Sequence, residues 1–152
     1  QSAKEAVELF ICEEPFIADG IAQSLIDLNK QRKALTDSGA ERIMQNIENS
    51  AIKNDKVIVV YDDELHESIA GIIAGRLKET YYKPAIVLTK GEKGAKGSAR
   101  SIEKYDLMKA LTECEELFDK YGGHAMAAGF SLATEQIPTF KEFVGEYITA
   151  HL

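Results

Sequence analysis

The apolar positions of the first third of the chain recur at helical spacing. They fall about 3.5 residues apart, at Ile17, Ile21, Leu25, Leu28, Leu35, Ile43 and Ile47. This period predicts a long α-helix with a narrow apolar stripe. A shorter helix is predicted to begin at Ser2, because Ser2 and Glu5 have the spacing of a capping box. We therefore expect residues 1–54 to form a helical connector rather than a core.

After residue 55 the pattern changes to short apolar runs that alternate with helical segments. Continuous runs rich in β-branched residues are typical of strands that are buried on both faces. We predict strands at residues 56–61, 84–89, 96–102 and 127–132, and helices at residues 68–81, 107–121 and 137–148. The order β-α-β-β-α-β-α predicts an α/β domain over residues 55–152, with a mixed β-sheet and flanking helices.

Charge is distributed unevenly over this predicted domain. The net charge of −7 argues against a general nucleic-acid-binding protein. However, six of the 18 lysines and arginines lie between residues 83 and 104, where only two acidic residues occur. A basic patch on an acidic body favours a confined site for a polyanion, although lysines that merely solvate a hairpin would give the same count.

Composition narrows the class of protein further. The 45% hydrophobic and 28% charged residues are typical of a folded globular domain. No apolar run approaches the roughly 20 residues of a membrane span, and the first ten residues lack the pattern of a signal peptide. Cys12 and Cys114 lie far apart in apolar surroundings, so we expect two reduced thiols in a cytoplasmic protein.

The segment YDDELH follows the first predicted strand and holds Asp62, Asp63 and His66. Carboxylates and a histidine at that end of a strand are candidate ligands for a divalent metal. A two-metal centre needs ligands from several separate elements, and the sequence offers no second cluster. We therefore favour surface acids and a histidine that anchors the loop. The chain also lacks a G-x-S-x-G or Walker-type motif, which predicts no self-sufficient catalytic apparatus.

The segment KGSARS offers Ser98, Arg100 and Ser101 as candidate ligands of a phosphate group. In a strand, Ser98 and Arg100 share one face, whereas Ala99 and Ser101 share the other. A guanidinium beside a hydroxyl can bind a phosphate oxygen or a planar base, because arginine donates in a rigid fork. An exposed hairpin strand with polar residues outward would give the same pattern.

The segment YGGH places two adjacent glycines before His124. Gly122 is predicted to end the preceding helix in the left-handed conformation. One glycine is enough for that purpose, so Gly123 and the small residues after His124 raise a second possibility. Successive uncovered backbone amides bind anions, and a histidine adds a donor. A binding loop and a structural turn both fit the residues.

Three segments taken together resemble one family. In order and spacing, LHESIAGIIAGRL, KGSARSI and YGGHAMAAGFSL resemble the C-terminal DHH-associated (DHHA) nucleic-acid-binding domain of RecJ-type single-stranded-DNA exonucleases. The resemblance covers roughly residues 25–132. It includes LIDLNKQRK, which is similar to the helix that joins the two halves of such enzymes. One departure is Ser68, because the family usually has a glycine two residues after the histidine that matches His66.

The resemblance implies that catalysis belongs to a preceding DHH half with an Asp-His-His signature and bound manganese or magnesium. No His-His pair occurs in this sequence, so we expect an inactive second half that holds no cofactor itself. The residues implied to contact phosphate or the terminal nucleotide are Arg76, Ser98, Arg100, Gly122, Gly123 and His124.

The function implied is to bind single-stranded DNA within a metal-dependent 5′-3′ exonuclease of DNA repair and recombination. One alternative is the substrate-binding half of a DHH-type oligoribonuclease or cyclic-dinucleotide phosphodiesterase, which we would expect to lack the connector LIDLNKQRK. Another alternative is a dimerisation or docking module whose exposed connector helix packs against a second copy.

Overall fold

The structure is a computed structural model that describes residues 15–151, with side chains from residue 20 onward. The short helix predicted at Ser2 and the thiol of Cys12 lie outside the described residues. The chain divides into two compact units, residues 1–38 and residues 39–152. In the first unit the structure describes helix from Pro15 onward.

Helix α1 spans Pro15–Glu48, as the long apolar period predicted. Leu35, although part of the predicted apolar stripe, is 62% exposed, as is 46% of Ile26 beside the stripe. The last turns differ from the expected connector, because Ala40, Ile43 and Ile47 are buried in the core of the second unit. The end of α1 is therefore a core element. The boundary that we place after residue 54 remains a prediction.

The second unit is built on a mixed five-stranded sheet, which confirms the predicted α/β class. Its strands are β1 (Ile58–Tyr61), β2 (Ala85–Lys90), β3 (Ala95–Arg100), β4 (Phe118–His124) and β5 (Ala127–Leu132). Their order across the sheet is β1-β2-β3-β5-β4. Strands β1 and β2 are parallel, and every other neighbouring pair is antiparallel.

The helices cover the two faces of the sheet to different extents. On one face, α2 (Glu67–Tyr81) packs over β2 and β3, and the end of α1 joins it in one apolar cluster. On the other face, α3 (Leu107–Glu113) and α4 (Ile137–His151) bury a second cluster that includes Phe130 and Leu132. No helix within residues 15–151 covers the first face over β5 and β4, where Gly122 and Gly129 are exposed.

Strand β4 was not predicted, and the helix predicted at residues 107–121 is wrong beyond Glu113. After α3, a 3₁₀ turn (Glu115–Leu117) leads directly into β4. A β-bulge lies between Phe118 and Lys120. The bulge lets Phe118 and Tyr121, three residues apart, both face the aromatic core beside Phe130. This spacing resembles a helical period. Because β4 extends to His124, Gly122 lies in a strand and does not cap a helix.

The remaining elements agree with the predicted ones to within a few residues. Helix α2 is capped by His66, whose side chain accepts a hydrogen bond from the Ser68 amide; the predicted cap, Ser68, already lies in the helix. The last helix begins at Ile137 as predicted and buries Phe140, Val144 and Ile148.

Candidate functional site

The uncovered part of the sheet forms a polar surface that we call the open face. Strand pairing sets its residues in three rows, because directly paired residues share a face. The first row joins Arg100, Ala127 and His124; the second joins Ser98, Gly129 and Gly122; the third joins Lys96, Ser131 and Lys120. The open face thus carries several side-chain donors and no acidic residue of its own.

Arg100 occupies the border between the open face and α2. Its side chain is half-buried, and Nη1 donates a hydrogen bond to the Ala99 carbonyl at 2.8 Å. A Cβ added at Gly71 of α2 would lie only 2.6 Å from Nη2 of Arg100. Gly71 therefore leaves the space that the guanidinium occupies, and the helix holds this cation at one end of the row.

His124 is exposed at the end of β4, beside the two-residue turn into β5. Its Nδ1 accepts a hydrogen bond from the Met126 amide at 3.3 Å. With Nδ1 acting as acceptor, the neutral ring carries its proton on Nε2 and can donate from there. The turn is fixed from below, because Ser101 and Leu107 donate backbone hydrogen bonds to Met126 and Ala125. These hydrogen bonds fix the turn that follows His124 and so hold the imidazole in place.

The second row contains a directly paired couple of glycines, Gly122 and Gly129. Both are exposed, and neither has a positive φ, since Gly123 is the only glycine with one among the described residues. A Cβ at Gly122 would meet no described heavy atom within 4 Å, and one at Gly129 would meet only the Gly97 carbonyl at 3.7 Å. The fold does not require glycine at either position, and the pair leaves a flat patch of backbone.

Gly123 differs from its neighbour. Its φ is +141°, and a Cβ there would lie 2.4 Å from the Ala127 carbonyl oxygen and 2.6 Å from Ala128 Cα. The fold requires glycine at this position. Gly122 and Gly123 were predicted to expose successive backbone amides to an anion. They are therefore glycine for different physical reasons, and both lie in the extended strand β4.

The third row, together with Ser98 and Gly129 of the second, lines a groove of about 420 Å³ that runs beside the start of α2. Glu67 and Ser68 form one wall, and Tyr121 of β4 also lines the groove. Lys96 reaches across the wall, with its Nζ 3.1 Å from a carboxylate oxygen of Glu67. The hydrogen bond that Tyr121 donates to Glu115 raises the pKa of the phenol.

Two residues predicted for the site lie elsewhere. Ser101 is fully buried, and its hydroxyl donates to the Tyr105 carbonyl at 2.6 Å, so it holds a turn of the chain and cannot contact a ligand from the open face. Arg76 lies in the middle of α2, where it lines a separate groove with Met44, Ile72 and Gly75. The structure brings together Ser98, Arg100, Gly122 and His124 on the open face, with Gly123 beneath it.

Asp62 and His66 both stabilise the loop between β1 and α2. Asp62 accepts hydrogen bonds from Arg42 Nε at 2.9 Å and from the Glu64 amide at 2.9 Å. His66 caps α2, and its Nδ1 lies 2.8 Å from the Ser68 hydroxyl. Within residues 15–151 no group of three or more acidic, histidine or cysteine side chains is arranged to hold a metal ion.

Sequence reasoning missed Lys120, Gly129 and Ser131, which complete the floor of the groove. Lys120 lay in a segment interpreted as helix. Gly129 and Ser131 lay in a correctly predicted strand, where the alternation G-F-S already placed them on the face opposite Phe130. In addition, no described helix is long and apolar enough to cross a membrane.

Comparison with known proteins identifies the family of this chain. Residues 54–150 match the family of DHHA1 domains. The chain is 35% identical over 148 residues to the single-stranded-DNA-specific exonuclease RecJ of Bacillus subtilis. This alignment covers 96% of this chain and 19% of that protein.

Solved structures give the same result. The Thermus thermophilus RecJ crystal structure with Mn²⁺ superposes with a TM-score of 0.86 at 30% identity, over 97% of this chain and 22% of that one. The structure of the same enzyme with Mg²⁺ gives a TM-score of 0.83 at 30% identity, over 97% of this chain and 23% of that one. The chain thus spans about a fifth of the length of these relatives.

Proposed function

This chain belongs to the DHHA1 domain family, and we propose that its open face binds the end of a nucleic-acid single strand. The exposed, directly paired glycines Gly122 and Gly129 carry this proposal, since neither backbone conformation nor packing requires them. A flat patch of backbone lets the sugar or base of a nucleotide approach more closely than any Cβ would allow. The donors of Ser98, Arg100 and His124 surround that patch.

The chemistry of the first two rows suits a terminal phosphate group. Arg100 supplies a guanidinium, of which one N–H is used by the Ala99 carbonyl, while the planar fork holds five donors in all. Ser98 and the Nε2 of His124 add neutral donors. Charge-assisted hydrogen bonds of this kind are the strong ones in phosphate recognition. Gly123 belongs to the proposed site as the residue that lets β4 turn under His124.

In the intact protein we propose that this domain presents single-stranded DNA to a catalytic DHH half that holds manganese or magnesium. The reaction would be metal-dependent hydrolysis of phosphodiester bonds from the 5′ end, and the location cytoplasmic. The support is the DHHA1 family and the likeness to RecJ exonucleases, two of whose structures contain Mn²⁺ or Mg²⁺. Arg76 remains a proposed additional phosphate contact, although it lines a groove separate from the open face.

The proposal is tested by fluorescence anisotropy with 5′-phosphorylated oligothymidylate labelled at its 3′ end. We expect weak, salt-sensitive binding, because a single strand contributes a slope of about −0.7 in log K against log salt per neutralised phosphate. Arg100→Gln should weaken binding about tenfold, as expected for the loss of a charged hydrogen bond. Lys109→Gln, which removes an exposed charge from α3 on the other side of the sheet, is the matched control.

Two results would contradict the proposal: no binding even at low salt, or equal affinity for Arg100→Gln and the parent chain. Parallel titrations with oligouridylate and with cyclic dinucleotides separate DNA binding from the alternative phosphodiesterase functions. A higher affinity for a cyclic dinucleotide than for oligothymidylate would favour that alternative. Melting temperatures of both variants exclude unfolding as the cause.

A further inference from the structure

The lined surface does not end at the third row of the open face. A second cavity, of about 300 Å³, adjoins the first and shares three of its lining residues, Lys96, Lys120 and Ser131. The two cavities therefore lie side by side along β3, β5 and β4. Together their lining residues extend from Gly129 to the β2–β3 hairpin at Lys93.

We propose that Thr89, Lys96, Lys120 and Ser131 form a second phosphate subsite, which binds the next part of a strand whose end lies at Arg100 and His124. This inference rests on the proposed function, because it extends the same bound strand. It assigns a binding role to residues that the terminal-phosphate site does not use. It also predicts that affinity grows with the length of the ligand in a defined step.

Thr89 supplies the observation that points to a ligand. It is fully buried at the end of β2, pairs directly with Lys96, and lines the groove. Its hydroxyl has no hydrogen-bond partner among the described residues. Buried hydroxyl groups in native proteins nearly always have a partner, so one that lines a groove indicates a partner other than the described residues. A phosphate oxygen or a sugar hydroxyl can fill that role.

The lysines supply the charge that a phosphate requires. Lys96 and Lys120 both pair with Ser131, on opposite sides, so their side chains flank it on the same face. Lys96 is held by Glu67, and both side chains of this pair are 49% exposed. An ion pair so accessible to solvent is weak, and a phosphate can therefore compete with Glu67 for the ammonium group. Asp119 and Glu92 border only the second cavity.

The spacing separates the two subsites. The third row lies four residues along β3 from the first, which corresponds to about 13 Å at the rise of a β-strand. A mononucleotide has one phosphate group and cannot contact both rows with it. A short oligonucleotide presents several phosphates and can span the two rows. The second subsite should therefore be silent for a mononucleotide and contribute to every longer ligand.

The test measures affinity as a function of ligand length. The chain is titrated with thymidine 5′-monophosphate and with 5′-phosphorylated oligothymidylates of increasing length, by calorimetry at low salt. The variants are Thr89→Val, which keeps the shape but removes the hydroxyl, and the double variant Lys96→Gln/Lys120→Gln. The double variant should bind the longer ligands about tenfold more weakly than the parent, with a salt slope smaller by about 1.4, and the mononucleotide equally well.

Thr89→Val should lose severalfold affinity for the longer ligands while melting at the same or a higher temperature. If its affinity is unchanged, the hydroxyl serves no ligand and the subsite is refuted. The subsite is also refuted if the double variant binds every ligand like Lys109→Gln, the control with one exposed lysine removed elsewhere. Binding of oligonucleotides that depends on Arg100 but not on Lys96 and Lys120 overturns only this inference. A parent chain that binds none of the ligands overturns the proposed function together with it.

Discussion

Strands β3, β4 and β5 have two faces that obey different rules. On the face toward α3 and α4, Phe130 lies so close to Gly97 that a Cβ there would be 2.3 Å from its ring. Phe118, Phe130 and Phe140 form a triad with ring centroids 4.9–5.7 Å apart. On the open face, the paired glycines leave unfilled space above the sheet. Residues one position apart in sequence therefore serve stability on one side and recognition on the other.

The comparison is sharpest at the two adjacent glycines. Gly123 has no room for a side chain, whereas Gly122 has nothing within 4 Å of the place where its Cβ would be. A glycine that the fold requires says little about function. A glycine that the fold does not require, on the same exposed face as a guanidinium, indicates that something outside the chain needs the space. The four predictions below test this distinction from the largest expected effect to the smallest.

Phe130→Ala should give the largest effect, a loss of about 3–5 kcal/mol in the free energy of unfolding, because it removes the centre of the aromatic triad. Urea unfolding monitored by circular dichroism measures the loss. Its neighbour Ser131 faces the groove, and Ser131→Ala should change stability by no more than about 0.5 kcal/mol. Similar losses for the two variants would show that the two faces do not differ as described.

Gly123→Ala should destabilise the chain by about 3 kcal/mol, because the positive φ and the approach to the Ala127 carbonyl both oppose a Cβ. Thermal unfolding of the purified variant is the measurement. A variant with a parental melting temperature would mean that the backbone at this position relaxes freely. In that case Gly123 would join Gly122 as a residue that is free of structural constraint.

Gly122→Ala should leave stability within about 1 kcal/mol of the parent, since glycine is itself unfavourable in a strand. Its affinity for 5′-phosphorylated oligothymidylate should nevertheless fall about tenfold, or 1.4 kcal/mol, because the methyl group lifts the ligand from the backbone. The matched control is Gly145→Ala in α4, where a Cβ also meets nothing within 4 Å. Unchanged binding by Gly122→Ala would remove the main support for the proposed function.

The buried face should also respond to alkaline pH through Cys114. Burial raises the pKa of this thiol from 9.0 to about 12. The unfolded chain therefore releases the proton first, and the stability present below pH 9 is lost as the pH rises toward 12. Between pH 8 and 9.5 we expect a loss of about 1 kcal/mol that Cys114→Ala abolishes. Melting curves of both proteins at the two pH values provide the test, and an identical pH dependence would contradict it.

The sequence predicted those parts of the fold whose signal is local. The apolar runs of β1 and β2, the periodic helix α2 and the alternation of β3 are all found in the structure. Strand β4 was missed because the apolar period of α3 continues through Leu117 and Phe118, whereas the bulged strand already begins at Phe118. A bulge depends on the partner strand, and a single sequence does not specify that pairing.

The parts of the candidate site that depend on local alternation along a strand were also predicted. Ser98 and Arg100 were correctly placed on one face of a strand, and that alternation also put Ser101 on the other, buried face. The pairing of Gly122 with Gly129 could not be foreseen without β4. Thr89 was predicted only as the end of a buried strand. Its hydroxyl has no hydrogen-bond partner among the described residues, and a sequence alone does not show this.

The bulge at the start of β4 also affects how readily the edge of the sheet pairs with other chains. Strand β4 is the last strand of the sheet, so one side of its backbone is available to pair with any extended chain. A flat, apolar edge of that kind is a template for aggregation. Here the irregular register, the charges of Asp119 and Lys120, and the positive φ of Gly123 all spoil the template. The strand that keeps a flat surface for a ligand on its open face is thus a poor pairing partner along its own edge.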